Sequence, residues 1–275
     1  MIVIKPVGGI CNRMRAIAAS LEWAKETNHD LKVIWNLDSD LNLDFFSCFM
    51  PIQNMSLQNE RIEKNQLKIL FKKIIKKIKK ISGQGYNVHI YVQDIYNLIE
   101  KGLSKEDFKN YFNNISQNKL IYIEANWDFY PLSCSPYNLF RPSHLIQNKI
   151  AFFSAKFPDK IIGVHIRRKD HKIAIHHSPT KKFIDIINQE LEKDNAQSFF
   201  LATDCEETEK ALLEAFDEKV FTYSKIKDRN TPDGIQEAIA DLFLLSKTKK
   251  IYGSYWSSFS EVASKIGGIE LIIVN

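Results

Sequence analysis

The 275 residues include 38 Lys/Arg and 33 Asp/Glu, and 44% are hydrophobic. This is ordinary globular composition, and it excludes a fibrous or globally disordered chain. The net charge of +5 is unevenly spread: residues 61–80 hold nine Lys/Arg against Glu63, so this block is +8 and the remainder −3. A mildly acidic globule with one basic block does not match a general nucleic-acid binder.

Four cysteines, at 11, 48, 134 and 205, form no CxxC and no repeated spacing, so neither a disulfide framework nor a zinc site is expected. Met1-Ile2-Val3-Ile4 runs straight into Lys5-Pro6, unlike a signal peptide, and no run of 18 apolar residues occurs. A reducing cytoplasm is the expected location.

The chain opens as strand, glycine turn and helix. Ile2-Val3-Ile4 is an apolar run, Gly8-Gly9 breaks it, and Met14, Ile17, Ala18, Leu21 and Ala24 recur at helical spacing. Lys32-Val33-Ile34-Trp35 follows as a second strand, which is the syntax of a parallel sheet. Residues 66–81 place apolar groups at 67, 70, 71, 74, 75, 78 and 81, the stripe of an amphipathic helix. Residues 86–140 yield one strand, at 120–123, and no ordered set of elements.

From residue 160 the alternation becomes regular. Strands are predicted at 161–166, 199–202, 219–222 and 250–253, and helices at 183–191, 206–216, 234–246 and 258–266. Four repeats of this kind predict a doubly wound sheet. Pro142 and Pro158 bracket a boundary, which gives domains at 1–150 and 151–275.

His165-Ile166-Arg167-Arg168-Lys169-Asp170 stands directly after a strand, where open α/β sheets bind ligands. Two arginines there suit a diphosphate, because guanidinium offers forked donors and a fixed charge. The other reading is a surface basic pair bridged to nearby acids. Ser254-Tyr255-Trp256-Ser257-Ser258-Phe259-Ser260-Glu261 brings hydroxyls to a helix start, either as an anion site or as an N-cap with Glu261 completing a capping box.

Asp204 ends a strand, and Asp241 lies in an otherwise apolar helix. Asp241 needs a partner, either a structural hydrogen bond or the two donors of a guanine edge. In the opening turn, Gly8 and Gly9 allow close backbone approach to a ligand, and Arg13 and Arg15 add positive charge. His171, His176 and His177 follow the arginine pair, each a candidate base or an ordinary surface residue. Asp38-Ser39-Asp40 reads as a turn, with a metal site as the other reading.

Together these segments resemble the fucosyltransferase superfamily of α1,2-, α1,6- and protein O-fucosyltransferases. Its HxRRxD-like motif is matched by His165–Asp170, and its strand-end ATD by Ala202-Thr203-Asp204. A helix, strand and serine-rich turn are matched by Asp241–Ser246 and Ile251–Ser260, and GGxxN by Gly8, Gly9 and Asn12. The resemblance is strongest over 160–266.

It implies an α/β fold of GT-B type, two Rossmann-like domains facing a cleft, with the donor on the C-terminal one. It implies GDP-fucose as donor, inversion at the anomeric carbon, and no required cofactor or metal. By position, Arg167 and Arg168 would contact the diphosphate, His165 and Asp241 the guanosine, and Ser257 and Ser258 phosphate, while Asp204 would shape the pocket. Gly9, Asn12 and Arg13 would add donor contacts.

Two positions depart from the family. Cys205 stands where many relatives have a second acid, and His171 and Ile175 stand where α1,6 members have Lys and Glu. An α1,6 activity is therefore not expected. The catalytic group is assigned to Arg168 with Asp170 and His171, an N-terminal residue being the other candidate for the base.

The expected partners are a nucleotide-sugar donor, a glycan acceptor and an anionic membrane surface met by 66–81, with no nucleic acid. The rival readings are another nucleotide-sugar donor, a silent GDP- or glycan-binding module, and a basic-helix adaptor.

Overall fold

The computed structural model describes residues 1–61, 88–132, 136–169, 172–223, 225–228 and 230–275. The predicted helix at 66–81 lies outside these, as do Asp170 and His171. Among the described residues the chain forms two parallel sheets of five strands. It divides into two compact units: Met1–Ser47 with Pro51–Phe140, and Cys48–Met50 with Arg141–Asn275.

In the first unit β1 (Ile2–Pro6), β2 (Leu31–Leu37), β3 (Met55–Arg61), β4 (Val88–Ile90) and β5 (Ile121–Ala125) lie in the order β3-β2-β1-β5-β4. β1 is central, which explains its unbroken apolar run. The predicted strands at 2–4, 32–35 and 120–123 are β1, β2 and β5. β3 (MSLQNER) was not foreseen: as an edge strand it buries little and carries a polar pattern.

The first crossover is α1 (Ile10–Glu26), longer than its periodic core because it is buried on nearly every side. Trp23 of α1 packs edge-on against Phe112 and Phe129 at ring distances of 5.1 and 6.0 Å. Burying each such ring contributes roughly 1.5–3 kcal/mol. Among the described residues three shorter helices follow: α2 (Phe45–Cys48), α3 (Val92–Glu100) and α4 (Lys105–Ile115). α4 starts at a capping box in which Asp107 N–H donates to Ser104 Oγ (3.2 Å) and Ser104 N–H to the Asp107 carboxylate (2.9 Å).

The second unit runs α5 (His144–Ser154), β6 (Ile161–Ile166), α6 (Lys172–His177), α7 (Thr180–Lys193), β7 (Ser198–Thr203) and α8 (Glu206–Phe216). It continues with β8 (Val220–Phe221), α9 (Pro232–Leu245), β9 (Lys250–Ser254), α10 (Ser258–Gly267) and β10 (Glu270–Val274). The strand order is β10-β9-β6-β7-β8. Each strand and helix predicted after residue 160 is present, and α6 and β10 are added.

One face of this sheet (Ile162, Val164, Ile166, Phe199, Leu201, Tyr252) packs on Phe183 and Ile187 of α7 and Leu212 and Phe216 of α8. The other face meets α9 and α10. Close approach there needs Gly253, where a Cβ would lie 2.5 Å from Ser260 Oγ.

The chain passes between the units at 140/141, so α5 lies wholly in the second unit, whereas a boundary at residue 150 cuts through it. Its apolar side seats on α9, Lys149 pairs with Glu237, and Phe153 stacks on Tyr223 at 4.1 Å. An 11-residue helix with a buried stripe belongs to the element that covers it.

Candidate active site at the carboxyl ends of the strands

In the second unit, β6, β7 and β9 end side by side, and their last residues tie the arginine loop in place. Ser254, at the end of β9, accepts from Arg167 N–H (3.0 Å) and donates to the His165 carbonyl (3.3 Å). Asp204, just past β7, accepts from the N–H groups of Arg168 (2.7 Å) and Lys169 (3.2 Å), one on each carboxylate oxygen. A carboxylate held by two backbone donors is a strong anchor. Asp204 therefore shapes the loop from beneath.

The Arg168 guanidinium is turned into protein. Its Nη2 donates to the Ser178 carbonyl (2.6 Å), Nη1 to the Arg167 carbonyl (2.9 Å) and Nε to Thr180 Oγ1 (3.2 Å). Burial presses its pKa below the ordinary value, and Asp204 opposes this. In this geometry Arg168 locks the start of α7 to the loop. Arg167, partly buried, is anchored through its backbone.

His165 is 7% exposed and stacks on Phe259 of α10 (4.8 Å, 25°). Its buried Nδ1 has no hydrogen-bond partner among the described residues. Burial, then Arg167, Lys225 and Arg168, pull its pKa down to about 3. The ring is thus neutral when folded and takes a proton when unfolded, near pH 6.5. Stability from this group is full above pH 6.5 and falls as pH drops toward 3. Between pH 7 and 5 the expected loss is about 2 kcal/mol. Urea unfolding of wild type and His165→Gln at both pH values checks this; identical pH dependence in the two proteins would reject it.

Ser257 is the N-cap of α10, 5% exposed, with a buried Oγ that finds no partner among the described residues. The expected capping box is not formed. Glu261 lies four residues beyond this cap and pairs with Lys265 (2.8 Å) instead. Ser258 is the first helical residue, half-buried. Just before the cap, Trp256 is held at φ 52° and stands 63% exposed. Two buried polar atoms without a partner among the described residues thus lie near one helix start, which favours anions: Ser257 Oγ on the N-cap of α10, and His165 Nδ1 on the ring stacked on Phe259 of that helix.

Asp241 has a protein partner. Lys225 Nζ reaches both its oxygens, at 2.8 and 2.6 Å, with the Lys225 side chain 2% exposed. Burial holds the Asp241 carboxyl above the usual carboxylate range, against the pull of Lys225. The ion pair answers the need of a buried acid, the structural one of the two partners expected for Asp241. Lys225 left no trace in the sequence, because sixteen residues of loop and helix separate the partners.

In the first unit the glycine turn links β1 to α1. Gly8 has φ 82° and lies under Asn12, whose Nδ2 would be 2.9 Å from a Cβ on Gly8. Gly9 is an extended N-cap with open space where its Cβ would be. Arg13 is fully buried: Nε donates to the Gly8 carbonyl (2.8 Å), Nη1 to the Asn36 carbonyl, and Nη2 to Asp38 (2.8 Å). Arg13 thus braces the turn. Asp38 also accepts from Asp40 and Leu41 N–H (3.0 and 3.1 Å), so Asp38-Ser39-Asp40 is a turn. Among the described residues no three His, Cys, Asp or Glu side chains gather as a metal site.

The structure therefore brings His165, Arg167, Asp204, Ser257 and Ser258 to one strand-end region. Gly9, Asn12 and Arg13 belong to the other unit. Two contributors were missed, Ser178 and Lys225, and the role of Ser254 was not foreseen. Ser254 stands directly after the strand predicted at 250–253, in a segment read as an anion site or cap, whereas Ser178 acts on Arg168 through its carbonyl, which any residue type supplies.

No protein-family profile matches the chain, and no curated protein sequence matches it. Solved structures do. NodZ α-1,6-fucosyltransferase soaked with GDP-fucose superposes with a TM-score of 0.61 at 16% identity, covering 96% of this chain and 92% of that one. FUT1 of Arabidopsis thaliana, a mutant in complex with GDP, gives 0.60 at 16% identity, covering 99% and 69%. POFUT1 in complex with GDP-fucose gives 0.57 at 13% identity, covering 100% and 97%. The chain has their fold. It is an α/β fold of GT-B type, and at these identities the likeness is one of fold.

Proposed function

We propose that the chain is an inverting fucosyltransferase that moves fucose from GDP-fucose to a hydroxyl of a bacterial surface glycan or its lipid-linked precursor. One observation carries the reading: Ser257 Oγ and His165 Nδ1, buried and unanswered among the described residues, beside a strand-end loop that bears Arg167. Support comes from the shared fold with structures that hold GDP or GDP-fucose.

In this reading the start of α10, with Ser257 and Ser258, receives the phosphates, and His165 meets the nucleoside. Arg167 faces the β-phosphate, while Arg168 and Asp204 position it. The acceptor oxygen attacks the anomeric carbon from the face opposite GDP, and the bond to the β-phosphate oxygen breaks with its electron pair. The hydroxyl proton passes to Asp170 or His171, which follow the arginines in the chain. Charge grows on the departing GDP, and a preorganised cation and N–H donors stabilise it where it develops. The reaction so drawn requires no metal. The segment 66–81, read from sequence alone, would hold the protein at the inner leaflet.

Calorimetry with GDP, UDP and CMP, without metal and then with manganese, tests the donor assignment, with anionic vesicles added to the same preparation to test the segment. Selective, metal-independent GDP binding is expected. Selective UDP binding that needs manganese would overturn the donor, and binding of no nucleotide would overturn the enzyme.

A further inference from the structure

Helix α5 is apolar on both of its sides. Ile146 and Ile150 are buried, and Phe153 stacks on Tyr223 (4.1 Å). Leu145 and Phe152 lie on the opposite side and stand 63% and 59% exposed. A surface helix carries one apolar stripe, and a helix that is apolar all round is ordinarily covered all round. Leu145 and Phe152 are seven residues apart, so they share one line of the helix, about 10 Å apart along its axis. Two large side chains in line differ from the scattered single ones found on any surface.

The outer face continues into a cleft. Between α5 and the end of α9 lies a cavity of about 250 Å³ with chiefly apolar walls, lined by Pro142, Gln147, Ile150, Ala151, Phe243 and Lys247. The charge around it is one-sided: residues 141–158 and 242–250, which frame it, contain six Lys/Arg and no Asp or Glu. Glu237 of α9, which reaches toward α5, is already paired with Lys149. Lys156, two residues past the end of α5, holds its Nζ 4.0 Å from the centre of the Phe152 ring. Among the described residues neither Lys156 nor Lys247 belongs to an ion pair.

Apolar side chains on a helix face flanked by uncompensated cations call for a partner that is apolar and anionic at once. A second copy of the chain is disfavoured, because a two-fold contact would set this acid-free face against itself. An acidic protein would need directional hydrogen bonds, and between Leu145 and Phe152 the outer face offers little beyond the amide of Asn148. A bilayer needs none. We infer that the outer face of α5, with the cleft beside it, is a membrane-contact surface that docks on anionic phospholipid. Leu145 and Phe152 enter the boundary between headgroups and acyl chains, while Lys156 and Lys247 keep their ammonium groups at the phosphates. The surface belongs to the second unit and rests neither on the transferase reading nor on the segment 66–81.

The test is co-sedimentation of the full-length protein with vesicles of phosphatidylcholine alone and of an equal mixture with phosphatidylglycerol, thermal melts confirming that each variant is folded. Wild type is expected to pellet with the anionic vesicles and stay in solution with the neutral ones. Leu145→Ser/Phe152→Ser should lower the partition at least about tenfold, and Lys156→Gln/Lys247→Gln by about tenfold or more. Phe152→Trp should gain fluorescence that brominated acyl chains quench, beyond the quenching of wild type. Wild type that ignores both vesicles overturns the surface. So does pelleting that Leu145→Ser/Phe152→Ser leaves unchanged, the result that a basic segment elsewhere would give. A dimer in sedimentation velocity that the same variant dissociates overturns it in favour of a second copy, and polyglutamate bound as tightly as the anionic vesicles does so in favour of an acidic protein.

Discussion

Replacing Lys225 with Met is expected to destabilise the C-terminal unit by roughly 3–5 kcal/mol at pH 7, because it leaves the Asp241 carboxylate buried without its cation. The side chains are 2% and 8% exposed, so water cannot stand in for the ammonium. Methionine keeps most of the lysine volume, which separates charge from packing. The cost should depend on pH with a defined sign. A buried carboxyl that has lost its cation has a folded pKa raised above its unfolded value near 3.9. The penalty is then present above the folded pKa and fades as pH falls and the group takes up a proton. Adding Asp241→Asn removes the stranded charge and should recover most of the loss. Urea unfolding of the two single variants and the double variant measures the coupling. A Lys225→Met protein within about 0.5 kcal/mol of wild type would show that the pair contributes little.

Asp204→Ala should lower GDP affinity at least about tenfold while costing roughly 1–3 kcal/mol of stability. The carboxylate touches no ligand in the proposed arrangement, but it receives the N–H groups of Arg168 and Lys169. Without it those donors are orphaned and the loop after β6 loses its anchor to β7. The Arg167 side chain then samples positions away from the phosphate. Asp204→Asn should be intermediate, since an amide has one acceptor oxygen for two donors. Calorimetric GDP titration and unfolding of both variants separate binding from folding. An Asp204→Ala protein that binds GDP like wild type would remove the strand-end loop from the phosphate site.

The two halves of the chain were not equally legible. After residue 160 every strand is a fully or mostly apolar run and each helix has a periodic face, because the sheet is covered on both sides. Local pattern and tertiary burial agree there. In the first half, β3 is a polar edge, β4 has three residues, and α3 and α4 pack through few side chains. Such elements form because neighbours accept them, and a linear reading has little to detect. The site divides along similar lines. Its position at the ends of β6, β7 and β9 was readable, since a charged or hydroxyl cluster after an apolar run marks a strand end. The directions in which Arg168 and Arg13 point were not.

The sequence by itself determined the parallel α/β class, the alternation of the second half and the strand-end address of His165, Arg167, Asp204 and Ser257. These follow from local periodicity and from where polar residues interrupt it. Only the tertiary structure decided which polar groups are satisfied by protein and which are left open. Arg13, Arg168 and Asp241 look like ligand contacts in the sequence, yet each is answered by groups 5 to 25 residues away. His165 Nδ1 and Ser257 Oγ, no more conspicuous in the sequence, are buried and unanswered among the described residues. Hydrogen-bond satisfaction depends on distances between segments, which folding sets and residue order does not.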